Sequence, residues 1–378
     1  MLPLEGLRVV TFEQAVAAPF CSRQCADMGA EVVKIERPDG GDSARAYDSA
    51  MHGMSAYFAW LNRGKKSVVL DLKEERAKAA ASKLIDQADI IISNLAPGAM
   101  ERLGFGYDAV RGRNPRAIWC GISGYGPDGP MRDRKAYDML VQAESGVVAV
   151  TGNADSAAKV GISIADIASG MYAYASILAA LRMRDKTGVG ERIDISMLEC
   201  LTEWMMPALY VFMGAERVVA RAGIRHNMIV PYGAYACADG SVMLAIQTDR
   251  EWRRLCSQVL GTVALADDER FITNAKRVEN RDALEALMEA HFQTMPRETV
   301  IALLEAADIP IASLNEVPAV VEHPQLAARN RWGKAETPNG EIPALIPPYN
   351  LSTVMPAMGR VPALGEHTDE VLRMLESR

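Results

Sequence analysis

From Arg8 to Ile122 the chain alternates short β-branched runs with helical stretches, and that order leaves few folds open. Arg8-Val9-Val10-Thr11-Phe12 reads as a strand, and residues 19–28 read as a helix closed by Gly29. Glu31-Val32-Val33-Lys34-Ile35 and Ser67-Val68-Val69-Leu70-Asp71-Leu72 read as the next two strands, the latter followed by a charged helix over 74–87. Asp89-Ile90-Ile91-Ile92-Ser93 and Ala117-Ile118-Trp119-Cys120-Gly121-Ile122 continue the series. Strands separated by helices pair in parallel through crossovers, so the reading is an α/β fold with a mostly parallel sheet covered on both faces. Ligands of such sheets bind beyond the carboxyl ends of the strands. No G-x-G-x-x-G follows the first strand, where the turn is Glu13-Gln14-Ala15-Val16-Ala17-Ala18-Pro19, and no G-x-x-x-x-G-K-[ST] occurs. A dinucleotide-dependent oxidoreductase and a P-loop enzyme both lose their main support.

Further along, residues 186–191 read as a turn, 192–197 as a strand and 198–213 as a helix. Residues 217–226 turn basic and loop-like. Tyr232 to Cys237 and Ser241 to Ile246 read as a hairpin around Asp239-Gly240, with helices near 249–260 and 281–294. The reading is a large α/β domain over 1–215, a smaller α+β domain over 225–320, and a return to the large domain over 325–378. That last segment is rich in proline and glycine until a short helix at 368–375.

At 378 residues the chain exceeds the size at which single cores stop growing. The net charge of −7 gives no basic excess, so nucleic acid is not expected as a partner. No uncharged apolar stretch of about 18 residues occurs, so no membrane span is expected, and the first residues do not follow the pattern of a secretory signal. The six cysteines are scattered; Cys21 and Cys25 match neither a redox nor a complete zinc spacing. They read as free, mostly buried thiols in a reducing cytoplasm, and no metal site is expected. The twenty methionines read mostly as core filling.

One carboxylate stands out. Asp166, in Ile164-Ala165-Asp166-Ile167-Ala168-Ser169-Gly170-Met171, opens a long apolar helix pattern that continues through Tyr172, Tyr174, Ile177, Leu178 and Leu181. There it faces free N–H groups and the positive end of a helix dipole, which would hold it ionised. An aspartate at that position equally serves as a plain N-cap.

Several segments together resemble the class III CoA-transferases, the family that includes formyl-CoA transferase and carnitine CoA-transferase. They are Leu4-Glu5-Gly6-Leu7-Arg8-Val9-Val10, Gly29 to Pro38, Asn62-Arg63-Gly64-Lys65-Lys66-Ser67 leading into Leu70-Asp71-Leu72-Lys73, and Asn94-Leu95-Ala96-Pro97-Gly98 with Glu101-Arg102-Leu103-Gly104. Gly124-Tyr125-Gly126, Asp166 and Leu364-Gly365-Glu366-His367-Thr368 complete the set. The resemblance implies a Rossmann-like large domain with a smaller domain inserted, an interlocked homodimer, and transfer of coenzyme A between carboxylic acids. It implies no permanently bound cofactor; acyl-CoA and a small carboxylic acid are the substrates. By the same resemblance Asp166 is the nucleophile, a carboxylate that can itself become an acyl carrier. By resemblance Arg37, Lys73, Arg102 and Lys135 match CoA-contact positions, and Leu70, Asn94, Leu95, Tyr137 and Met197 match neighbouring ones; Gln14, Val16 and Ala17, in the turn after the first strand, are also expected at the CoA site.

The chain departs from formyl-CoA transferase in carrying Val16 where that enzyme has a glutamine, and in lacking its glycine-rich flap. A larger, less polar acyl group is therefore expected. The related α-methylacyl-CoA racemases place a histidine where this chain has Tyr137, and a tyrosine titrating near 10 is a poor base at neutral pH. Proton exchange on the same fold and a non-catalytic acyl-CoA-binding role remain the alternatives. The segment Arg221 to Gly233 resembles relatives that handle C4 and C5 dicarboxylates. Arg221, Arg225 and His226 are expected to meet a second carboxylate; a basic interdomain linker is the alternative for that stretch.

Overall fold

The structure is a computed structural model that describes residues 1–376. The chain divides into two units. The larger is formed by Met1–Val147, Val160–Met206 and Pro324–Arg378, the smaller by Val148–Lys159 and Pro207–His323.

The larger unit is built on six strands: β1 (Arg8–Phe12), β2 (Glu31–Glu36), β3 (Lys65–Val69), β4 (Ile90–Ser93), β5 (Ile118–Ser123) and β6 (Arg192–Ser196). They pair in the order β3-β2-β1-β4-β5-β6, and every pairing is parallel. Side chains alternate between two cores. Val9, Ile90, Ile92, Ile118, Cys120 and Ile193 pack on one face, beneath the helices Ala17–Asp27 and Ile164–Thr187. Val10, Val33, Val68, Ile91 and Trp119 pack on the other, beneath Glu75–Asp86 and Thr368–Glu376. Burial on both faces explains why these strands read as unbroken apolar runs. Between β1 and β4 the order reverses direction, which makes their carboxyl ends the switch point of the sheet.

The helix Ile164–Thr187 is long and apolar enough to cross a membrane by length and composition. Half of its apolar window is buried within the protein, consistent with a core helix. It packs against Ala17–Asp27 so closely that a Cβ on Gly170 would lie 2.7 Å from the Ala17 carbonyl oxygen. Glycine is needed there for the approach.

The smaller unit holds a three-stranded antiparallel sheet. Gly240–Ala245 lies between Ile311–Ala312 and Tyr232–Cys237, with the helices Arg281–Phe292 and Arg297–Ala306. Its core is separate, around Trp252, Phe271, Met288 and Phe292.

Several elements differ from expectation. β3 begins at Lys65 rather than Ser67 and ends at Val69, because Lys65 is buried and paired, not solvated. Leu70, Asp71 and Leu72 thereby leave the strand. The helix expected over 198–213 is two, Met197–Trp204 and Met206–Ala215, and the division between units falls at 206/207, after the first residue of the second helix, rather than at 215. The excursion Val148–Lys159 also belongs to the smaller unit. It pairs through Asn153 and Ala154 with Arg221, a long-range contact without a local signal. The tail is not irregular throughout: Trp332–Thr337 and Gly340–Leu345 form a hairpin around Pro338-Asn339.

Candidate active site

The carboxyl ends of β1, β2 and β3 and the turn after β4 enclose a cleft of about 250 Å³. Gln14, Arg37, Leu70, Lys73 and Leu95 all line it, together with Phe12, Leu72 and Leu103. Its apolar wall is mostly leucine, its two cations are Arg37 and Lys73, and Glu13, Glu36 and Asp71 also line it. Arg37 is more than half exposed and spends one donor on the Gly41 carbonyl, 3.0 Å away. Arg102, on the short helix Ala99–Leu103, does not line the cleft itself; its guanidinium donates to the Pro97 carbonyl at 3.4 Å. Such a lining suits a flat apolar group carrying anionic ends. Gln14 and Asn94 close the switch point reciprocally. The Gln14 N–H donates to Asn94 Oδ1 at 2.9 Å, and Asn94 Nδ2 donates to the Gln14 carbonyl at 2.9 Å.

The turn that follows β1 is strained. Ala15 has φ +62°, a left-handed conformation that a non-glycine residue seldom adopts. Its N–H donates to Asp42 Oδ1 at 2.9 Å. Val16 then caps the helix Ala17–Asp27 without a side-chain bond. Val16 and Ala17 are each 3% exposed, so their side chains belong to the core and are not ligand-facing in this structure. Among the described residues, the N–H groups of Val16, Ala17 and Ala18 have no acceptor.

Asp166 lies in the first turn of Ile164–Thr187. That helix leads into the amino end of β6, and Ala17–Asp27 leaves the carboxyl end of β1, so both helices begin on the carboxyl side of the parallel sheet. Asp166 is four residues, one turn, before Gly170, on the face that meets Ala17. It is not the helix cap. Asp138, the first residue of the helix Asp138–Glu144, takes that role: its Oδ1 accepts from the N–H of Ala165 at 2.8 Å and of Asp166 at 3.3 Å. Its Oδ2 is held by Gln142 Nε2 at 2.7 Å. Among the described residues nothing hydrogen-bonds the Asp166 carboxylate. Burial pushes its pKa up to about 7, and the neighbouring Asp138 charge adds to the shift. The expectation that the helix end would keep Asp166 ionised is therefore reversed: the donors are occupied by another carboxylate.

Tyr137 is the N-cap of the Asp138 helix and 73% exposed, with Lys135 two residues earlier, also exposed. Asp138 thus links this segment to the start of the Asp166 helix. Met197 is brought to the end of β6, but it is 6% exposed and packed in the core, so it offers a ligand little surface.

The three residues expected to bind a second carboxylate are already engaged within the smaller unit. Arg225 pairs with Glu285 and Glu289, which are one turn apart on Arg281–Phe292, and lies over the Tyr235 ring. Arg281 also reaches Glu285, at 3.2 Å. His226 accepts from the Met228 N–H through Nδ1 and stacks on Tyr232. Burial and Arg281 hold its pKa below the usual histidine value. Arg221 donates from one edge to the carbonyls of Asn153 and Ala154. The expectation of a free cationic cluster fails for Arg225, because two glutamates distant in sequence neutralise it.

Two features escaped sequence reading. Asp138 caps a helix that starts 26 residues later, and nothing local signals such a partner. Glu13, Lys34, Asp42 and Lys65 form a buried ion-pair chain behind the strained turn. The one hint was a lysine inside an otherwise apolar strand. Among the described residues, no three His, Cys, Asp or Glu side chains gather as metal ligands.

Residues 4–368 match the family described as CoA-transferase family III. A succinate–glutarate CoA-transferase of Agrobacterium fabrum is 33% identical, with 99% of this chain and 96% of that protein covered. A succinyl-CoA:mesaconate CoA-transferase of Haloarcula hispanica is 31% identical, with 98% and 95% covered. The crystal structure of a CAIB/BAIF family protein from Brucella suis superposes with a TM-score of 0.85 at 32% identity, covering 99% of both chains. The fold, the family match across nearly the whole chain and these relatives agree: the chain is an enzyme of CoA-transferase family III.

Proposed function

We propose that the protein moves coenzyme A from a CoA thioester to a dicarboxylic acid through covalent intermediates on Asp166. The observation that carries this reading is the state of that carboxylate: half-buried, without a hydrogen-bond partner among the described residues, and relieved of capping by Asp138. A carboxylate kept only for structure would be paired or capping.

The steps balance as follows. An ionised Asp166 oxygen attacks the thioester carbonyl, the C–S bond breaks, and CoA leaves as thiolate, giving a mixed anhydride. The thiolate attacks the aspartyl carbonyl and releases the donor carboxylate, leaving an aspartyl-CoA thioester. The acceptor carboxylate attacks that carbonyl and again expels thiolate. The thiolate then takes the acceptor acyl group and frees Asp166. Each step passes through an oxyanion, and the unpartnered N–H groups of Val16 and Ala17 are the donors this chain offers for it. The cleft at β1 to β4 would hold the CoA nucleotide, its ring between Leu70, Leu72 and Leu95 and its phosphates on Arg37, Lys73 and Arg102. Lys135 and Tyr137 are assigned to the thioester end of CoA.

The acceptor class follows from the relatives, whose names pair succinate with glutarate or mesaconate. Arg221 leaves one guanidinium nitrogen without a partner among the described residues, whereas Arg225 is paired twice, so Arg221 rather than Arg225 is assigned to a second carboxylate. A homodimer is expected. The exposed apolar side chains Met171, Leu178 and Met183 on the long helix, with Trp204, Tyr210 and Phe212, are surface of the kind such an interface covers.

Incubation with succinyl-CoA and ¹⁸O-labelled glutarate tests the mechanism. Glutaryl-CoA should form, and one labelled oxygen should appear in the peptide containing Asp166. Glutaryl-CoA without label on that peptide would defeat the covalent route. Light scattering gives the oligomeric state.

A further inference from the structure

The strained Ala15 turn is held from behind by a buried, charge-balanced network. Asp42 Oδ1 accepts from the N–H groups of Ala15 and Ala44, each at 2.9 Å, and Oδ2 meets Lys34 Nζ at 2.6 Å. Lys34 also meets Glu13 at 3.2 Å, and Glu13 is bound by Lys65 at 2.7 Å and by Ser22 at 2.6 Å. Lys65 bonds the Pro19 carbonyl as well, inside the helix that the turn opens. Glu36 receives the Asp42 N–H and pairs with Arg45 and Ser67. Glu13, Asp42 and Glu36 thus face Lys34, Lys65 and Arg45, and all but Arg45 have fully buried or nearly fully buried side chains. Such a network is costly to desolvate and stabilises a fold no better than apolar packing would. A left-handed alanine persists only where its surroundings over-determine it, and strain of this kind clusters at functional sites. Both features converge on the turn whose Val16 and Ala17 N–H groups have no acceptor among the described residues.

We propose that Asp42 is a positioning residue for acyl transfer: bound to Ala15 and anchored by Lys34, it locks the turn Gln14–Val16 so that its free N–H groups are fixed on the side of the sheet where the Asp166 helix begins. This rests on the reading of Asp166 as the carrier of the acyl group. Asp42 touches no reacting atom; it acts through the Ala15 backbone.

The test uses the full-length enzyme with succinyl-CoA and glutarate as probes. Asp42→Ala should lower kcat about 100-fold while KM for succinyl-CoA changes less than about threefold, since a shift of the donors on the order of 1 Å costs that much in the chemical step. Ala15→Gly alone should stay within about twofold, because glycine enters the left-handed region freely. Added to Asp42→Ala, it should restore kcat by about tenfold, the preference it removes. In hydrogen–deuterium exchange, Asp42→Ala should speed exchange in the peptide 13–20 and leave β5 unchanged. A KM that rises as kcat falls, no rescue by Ala15→Gly, or unchanged exchange over 13–20 would each overturn the proposal. If Asp42→Ala does not fold, Asp42→Asn, which keeps an acceptor for Ala15 but loses the Lys34 charge pair, carries the same three tests with about a tenfold loss. A folded parent enzyme without exchange activity defeats the proposed function alone; the exchange over 13–20 still decides the role of Asp42.

Discussion

Two groups of charges in this protein are built in opposite ways. In the smaller unit Arg225 has two glutamates and an aromatic face, and Arg281 shares one of those glutamates. In the larger unit Asp166 has a carboxylate for a neighbour and no donor among the described residues. The sequence invites the reverse ranking, since a basic loop suggests a ligand and an aspartate at a helix start suggests a cap. The comparison teaches that a charge is available for chemistry to the extent that the fold leaves it unpaired. A paired, half-buried arginine is already spent on structure.

The contrast breaks most sharply at Asp166. Asp166→Ala should lower kcat for CoA exchange on the order of 10⁴-fold or more with the fold intact, since loss of a nucleophile removes the covalent route. Near-parental turnover would make Asp166 an ordinary helix residue. Next come two arginines that the proposed reading assigns to the CoA phosphates. Arg37→Ala and Arg102→Ala should each raise Kd for CoA about ten- to a hundred-fold, the loss of one charge-assisted hydrogen bond. Unchanged Kd in calorimetry for both would remove the cleft from the site.

Titration sharpens the comparison. Asp166 must ionise to attack, and its pKa is raised to about 7. The rate kcat/KM should therefore fall about tenfold per pH unit below 7 and level off above it. A limb centred near 4 would contradict the burial argument. The same shift has a stability side. Between its unfolded value near 3.8 and about 7 the folded state binds the proton more tightly, so this group's contribution to stability falls as pH rises through that window. Asp166→Asn should accordingly melt above the parent at pH 8, and the difference should vanish below about pH 4.

The smallest catalytic effect is expected at Arg225. Arg225→Met leaves Glu289 without its cation and should destabilise the smaller unit by about 1–3 kcal/mol, read as a lower Tm. Its kcat/KM for glutarate and for a monocarboxylate of equal length should drop in equal proportion. A selective loss on the dicarboxylate would return Arg225 to the substrate site, and the same ratio for Arg221→Met tests the residue assigned there.

Much of this was legible along the chain because its causes are local or periodic. The parallel sheet follows from apolar runs separated by helices, and the closing helix at Thr368–Glu376 follows from its own pattern. The cleft was legible in part. Gln14, Arg37, Leu70, Lys73 and Leu95 were named through the family resemblance, and they share one cleft because strand ends in a parallel sheet converge. The start of β3 was missed because Lys65 and Lys66 look alike in sequence, yet one is buried on Glu13 and the other reaches Glu31 and Glu370. The hairpin Trp332–Thr337/Gly340–Leu345 was passed over although Pro338-Asn339-Gly340 marks its turn, because proline content was read as irregularity.

The sequence by itself determined the order of strands and helices, the family, and which aspartate opens the long helix, because hydrophobic period and short motifs are properties of neighbouring residues. Only the tertiary structure decided which charges are neutralised. Glu285 and Glu289 reach Arg225 across 60 and 64 residues, Asp138 reaches the Asp166 helix across 28, and Asp42 reaches Ala15 across 27. Pairing of that kind depends on distance in space and on the removal of water. Neither has a trace in the local pattern, and together they set whether a carboxylate or a guanidinium is left free to react.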